Sequence, residues 1–211
     1  MNRTSLPLAA ALCAAVLAGC ASTTRLDAQW VDGHAPSPAM RGQRVLIACE
    51  AYDITIQQIC LDRLAAEVSA RGATAISAPE ITDVPRGQPV PVERYVALAR
   101  ANNASTIVSS TVSVADRQVS QGGGISVGLG GFGWGGGSGN VSGGVGVGVS
   151  VPVGGGQVTV GYASDTRITS AGTGRMLWSG KATSPASRDV GEQMASLART
   201  LLEAADKAGM F

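Results

Sequence analysis

The chain has 211 residues, 45% of them apolar, with 29 glycines and few aromatics. Sixteen Lys and Arg against 15 Asp and Glu give a net charge of +1, which excludes the basic surplus that drives nucleic-acid binding. The length allows one domain of ordinary size with extra segments, and the glycine content shrinks its core.

Residues 1–19 read as an export signal. Arg3 supplies a short positive region, an apolar run extends from Leu6 to Leu17, and small residues Ala18 and Gly19 follow. The run is too short to span a bilayer, which takes about 20 apolar residues. Leu17-Ala18-Gly19-Cys20 resembles the lipobox of bacterial lipoproteins. That resemblance implies cleavage before Cys20 and a diacylglyceryl thioether on its sulfur. Two or three acyl chains anchor a protein durably, since each buried methylene contributes about 0.8 kcal/mol. Ala21 rather than Asp follows the Cys. By similarity to the enterobacterial sorting rule, this implies the outer membrane, on its periplasmic face.

Removal of residues 1–19 takes away Arg3 and no acid, so the mature chain carries no net charge. Cys13 leaves with the signal and Cys20 is lipidated. Cys49 and Cys60 remain, an even pair in an oxidising compartment, and they lack the CxxC spacing of a redox site. They are expected to form a structural disulfide.

Residues 20–43 mix Ser, Thr, Gly and Pro with little periodicity and are expected to be a flexible lipidated tether. The folded domain is expected over 44–211. Residues 44–50 read as a buried strand. Residues 54–71 read as an amphipathic helix with Ile56, Ile59, Cys60, Leu64 and Val68 at helical spacing. Thr55 and Gln58 have the form of a capping box, and Gly72 ends the run. A short strand is expected over 73–78, then a Pro-rich loop. A helix over 92–102 turns Val92, Tyr95, Val96 and Ala99 inward, and a strand covers 107–114. Two further strands, 158–169 and 175–183, join at the turn 170–174. The last helix runs from about Val190 to Ala208, started by Asp189 and Glu192. Met194, Leu197, Ala198, Leu201, Leu202 and Ala205 form its buried stripe. The order β-α-β-α-β-β-β-α predicts an α+β domain with a central mixed sheet and three helices, in two or three layers.

The stretch Gly174-Arg175-Met176-Leu177-Trp178-Ser179-Gly180-Lys181-Ala182 resembles a Gly-Lys-Leu-Val-Trp-x-Gly strand. That strand occurs in an uncharacterised family of bacterial envelope lipoproteins with a Gly-rich insertion. The step from Ala99 to Val108 resembles a helix-to-strand junction of envelope proteins, with Ser105 where Asp is usual. The similarity covers about 44–208. At fold level it extends to LpoB, a lipoprotein activator of a peptidoglycan synthase, and to the curli secretion-channel lipoprotein. It implies binding or assembly rather than catalysis, although a fold does not fix a function.

Catalytic patterns are accordingly expected to be empty. The lone His34 lies in the expected tether, without the orienting partner a catalytic imidazole needs. Gly124-Ile125-Ser126-Val127-Gly128 matches G-x-S-x-G, but no His follows. Gly128 to Gly133 matches G-x-G-x-x-G, but no helix follows to hold a pyrophosphate. Asp62 and Glu67 fall on the polar side of a helix and read as solvated charges. No metal site and no cofactor beyond the lipid on Cys20 is expected, and the chain is expected not to be an enzyme.

Nineteen of the 40 residues from 122 to 161 are Gly. Within the insertion 122–156, Val145, Val147, Val149, Val151 and Val153 alternate with Gly146, Gly148, Ser150 and Pro152, which gives one apolar face in an extended strand. An irregular loop or sheet extension, a protein-contact hairpin and a pore-forming hairpin all fit this pattern. Phe132, Trp134, Val145, Val147 and Val149 are the candidate partner contacts. The expected function is that of an adaptor binding an envelope protein. The alternative is a self-assembling structural or pore-type lipoprotein using these hairpins.

Overall fold

Strand β2 (Arg44–Glu50) is the organising element, because it is apolar on both sides. Val45, Ile47 and Cys49 face one layer of core, Leu46 and Ala48 the other, and all five are buried. A strand with two buried faces must be covered from both sides. A computed structural model, which describes residues 23–81, 84–86, 89–120 and 157–211, shows how this is met.

Helix α1 (Ile54–Ala70) leaves the end of β2 and returns to β3 (Thr74–Ser77), parallel to β2. Helix α2 (Val92–Ala101) crosses on the opposite face to β4 (Thr106–Ser120), parallel to β2 on its other side. Strands β5 (Gln157–Ser170) and β6 (Met176–Thr183) then add antiparallel. Helix α3 (Val190–Lys207) packs beside α1. The sheet order is β1-β6-β5-β4-β2-β3. The fold is α+β in three layers, with the expected elements in the expected order and one strand more.

The larger core lies under α1 and α3. Leu64, Val68, Leu197 and Leu201 meet Ile47, Val108, Ile168 and Trp178 there, each at most 2% exposed. Burial stabilises such side chains by about 1.5–3 kcal/mol apiece. The smaller core, under α2, joins Tyr95 and Ala99 to Leu46, Ala48 and Ile107.

The extra strand corrects the tether. Residues 25–31 form β1 (Arg25–Val31), antiparallel to β6 from Arg25↔Thr183 to Val31↔Trp178. The chain beyond it is also docked: Met40 is fully buried, and the Ala39 and Met40 amides both donate to the Met210 carbonyl. Only residues before Arg25 remain for a tether.

Three smaller expectations also change. Asp53, not Thr55, caps α1, accepting the Thr55 and Ile56 amides at 2.7 and 3.1 Å. Val92 points outward and is 39% exposed, because α2 buries only the side that carries Tyr95 and Ala99. Glu67 is not a solvated charge: it pairs with Arg71 one turn along and, at 3.6 Å, with Arg199 of α3. The Asp189 cap of α3 is as expected, accepting the Glu192 amide at 2.9 Å.

Candidate partner-binding surfaces

Cys49 and Cys60 are disulfide-bonded, with Cα atoms 6.2 Å apart, and join the end of β2 to the second turn of α1. Cys20, Phe132, Trp134, Val145, Val147 and Val149 lie outside the described residues. His34 is exposed in the turn after β1, and its amide donates to Asp32 Oδ1 at 3.0 Å. The Asp32 carboxyl is held below its usual range by that amide and then by Arg175, with which it forms an ion pair.

Two surfaces stand out. The first is the outer flank of the sheet. Register places Trp30 beside Ser179 and Arg167, and Ala28 beside Lys181 and Asp165, on the face that carries α2. That helix covers only the β2 side. The flank is therefore half polar, with an Arg167–Asp165 ion pair at 3.3 Å, and Trp30 and Met176 stand out of it at 48% and 37% exposed, while Val31, paired with Trp178, lies on the opposite face and is 39% exposed. β1 is the terminal strand of the sheet, so among the described residues its outer backbone edge pairs with nothing. Sequence reasoning missed this surface because it assigned β1 to the tether. The signal was present in Trp30-Val31 followed by the turn residues Asp32-Gly33.

The second surface is a crevice of about 120 Å³ at the carboxyl ends of β2 and β3. Apolar Ile54, Ile81 and Val90 line it together with Glu50, Arg86 and Tyr95. Open sheets bind ligands at such ends. The polar groups here, however, are turned to one another. Tyr95 Oη donates to Glu50 Oε1 at 2.9 Å, Arg86 pairs with Glu80, and Gln57 Nε2 donates to the Cys49 carbonyl at 3.0 Å. Burial, and then the Glu50 charge, push the Tyr95 hydroxyl far above its usual pKa, so it remains a neutral donor. Nothing in this arrangement activates a nucleophile.

A cluster of hydroxyls is buried. Ser110, Ser164 and Thr166 lie under α1 and α3 and bond to one another at 2.6 to 3.3 Å. They satisfy each other, as buried hydroxyls must. Among the described residues no group of three or more His, Cys, Asp or Glu side chains could hold a metal ion, and no helix is long and apolar enough to cross a membrane.

The fold and its surfaces thus define a three-layer α+β domain with an exposed sheet flank. No protein-family model and no curated protein matches the chain. Solved structures do. The PelC dodecamer from Paraburkholderia phytofirmans is 14% identical, over 84% of this chain and 96% of that one, with a TM-score of 0.48. Lipoprotein GNA1162 from Neisseria meningitidis is 14% identical, over 70% and 84%, with a TM-score of 0.35. The LpoB C-terminal domain from Salmonella enterica is 14% identical, over 71% and 85%, with a TM-score of 0.37. LpoB is the fold-level relative expected from the sequence.

Proposed function

We propose that this chain is a non-catalytic lipoprotein of the outer membrane, facing the periplasm, that binds a protein of the cell envelope. The observation that carries the reading is the β1 edge with its exposed Trp30. An edge strand offers a row of backbone donors and acceptors that a partner strand can complete. A Trp beside such an edge supplies the large contact area typical of energetic anchors in interfaces. The polar row of Arg167, Ser179, Asp165 and Lys181 behind it would form the rim. The lipid on Cys20 would hold this surface in the periplasm.

The test is photo-crosslinking in intact cells from a benzoylphenylalanine placed at position 30, with position 63 on α1 as reference. A discrete adduct from position 30, absent from position 63, supports an adaptor. Identical patterns from both positions refute the β1 surface. An adduct of two copies of this chain would replace the adaptor by self-assembly through this edge. Membrane attachment is tested by Cys20→Ser, which should release the folded domain into the periplasm. A variant that still fractionates with outer membranes would refute the anchor.

A further inference from the structure

Register fixes which end of the sheet each strand begins and finishes at. β1 begins at Arg25, opposite Thr183 at the end of β6, and that row continues to Ala163 and Ser113. The same end receives the carboxyl ends of β2 and β4, and α1 and α2 start there. The anchor site therefore enters the fold at the carboxyl end of the parallel strands. Four residues lie between Cys20 and Arg25, which makes five steps along the chain. Fully extended they reach about 18 Å. Beyond the row of Arg25, β4 and β5 continue as a pair for seven more residues of β4, to Ser120↔Gln157. At about 3.3 Å per residue this pair projects roughly 23 Å. The leash is no longer than the projection, so it cannot lift this end clear of the lipid surface.

The exposed apolar residues are distributed accordingly. Tyr52, Ile54, Val92, Val114 and Val158 lie at this end and are 39% to 73% exposed. Tyr52 and Ile54 flank the start of α1, Val92 opens α2, and Val114 and Val158 sit on the projecting pair. Trp30, Val31 and Met176 lie at the opposite end of β1 and β6.

We propose that this end of the sheet rests on the bilayer, with Tyr52, Ile54, Val114 and Val158 in the headgroup layer, so that the Trp30 surface is presented away from it. The placement rests on the lipidation of Cys20. Apolar and aromatic side chains at a lipid interface bury area there that water would otherwise cover. A short leash needs only weak contacts, because it keeps the surface at high local concentration.

The experiment uses the lipidated full-length chain in vesicles of phosphatidylethanolamine and phosphatidylglycerol. Nitroxides are attached in separate variants at Tyr52→Cys, Val114→Cys and Trp30→Cys. The ratio of collision with oxygen to collision with an aqueous nickel chelate should be several-fold higher at 52 and 114 than at 30. Equal ratios at the three positions would overturn the placement. So would labels at 52 and 114 that are already shielded from both reagents in Cys20→Ser protein without vesicles, since residues 121–156 or a second copy would then cover this end. Mass spectrometry of the same preparation reads the diacylglyceryl group directly. Its absence would refute the anchor and with it the placement, whereas its presence with equal ratios would refute the placement alone.

Discussion

The indole of Trp178 folds back over Gly180, so that a methyl group at Gly180 would stand 2.3 Å from Cη2 and 2.6 Å from Cζ2. Both residues are on β6 and point under α3, where Leu201 closes the remaining space at 3.2 Å. Trp178 is fully buried, and its Nε1 finds no acceptor among the described residues. The Trp-x-Gly spacing of the sequence is thus a packing requirement: the large ring needs a neighbour without a side chain.

Gly180→Ala should destabilise the domain by about 1–3 kcal/mol through overpacking. Urea unfolding measures it. Combined with Trp178→Phe, the cost should be smaller than the sum of the single changes, because the smaller ring vacates the space. Additive costs would show that the two residues do not compete for it.

Loss of the Cys49–Cys60 bond should also be measurable. The bridge spans 11 residues, and in the chain-entropy model a loop of this size contributes about 3 kcal/mol. The paired variant Cys49→Ser with Cys60→Ser should unfold at lower urea than the oxidised wild type. It should match the wild type treated with a reductant.

The assignment of β1 can be separated from a tether by one side chain. Leu26 is half-buried against the larger core. Leu26→Ala should cost about 1 kcal/mol, less than the range for a fully buried Leu. In a mobile tether it would cost nothing. Thermal or urea unfolding decides between them.

The sequence concealed β1 for identifiable reasons. Arg25-Leu26-Asp27-Ala28-Gln29-Trp30-Val31 is polar at its start, as an edge strand is, and a bulge between Leu26 and Ala28 breaks the two-residue period. The far half of β4 was hidden likewise, because the polar run Asp116, Arg117 and Gln118 interrupts the apolar alternation while still pairing with β5. Elements with one clear apolar face were legible: the whole stripe from Met194 to Ala205 is buried as read. The disulfide partners were legible too, since compartment and count left Cys49 and Cys60 to each other. The Trp30 surface depends on register between strands far apart in sequence, which no local pattern contains.

Acid should act on the start of α1. The Ile56 and Thr55 amides hold the Asp53 carboxyl below its usual range. A depressed carboxylate contributes stability above its unfolded pKa of about 3.9, and the contribution is lost as pH falls through the lower folded value. The melting temperature of the wild type should therefore drop below about pH 4. Asp53→Asn keeps an acceptor oxygen without the titration and should flatten that limb. An unchanged limb would place the acid sensitivity elsewhere.

The Arg25↔Thr183 pairing also sets an order of events in folding. β1 is complete once residue 31 has been made, yet its only partner among the described strands spans residues 176–183. The first strand synthesised must wait for nearly the last. A pairing this distant in sequence raises the contact order, and such topologies fold slowly because the loop must close before the contact gives anything back. From its synthesis until β1 docks, β6 is itself an open edge, and Trp178 and Gly180 are part of it. A chain cut short before residue 176 would leave β1 with nothing to join, and its Trp30 and Val31 would be free to pair with another unfinished copy.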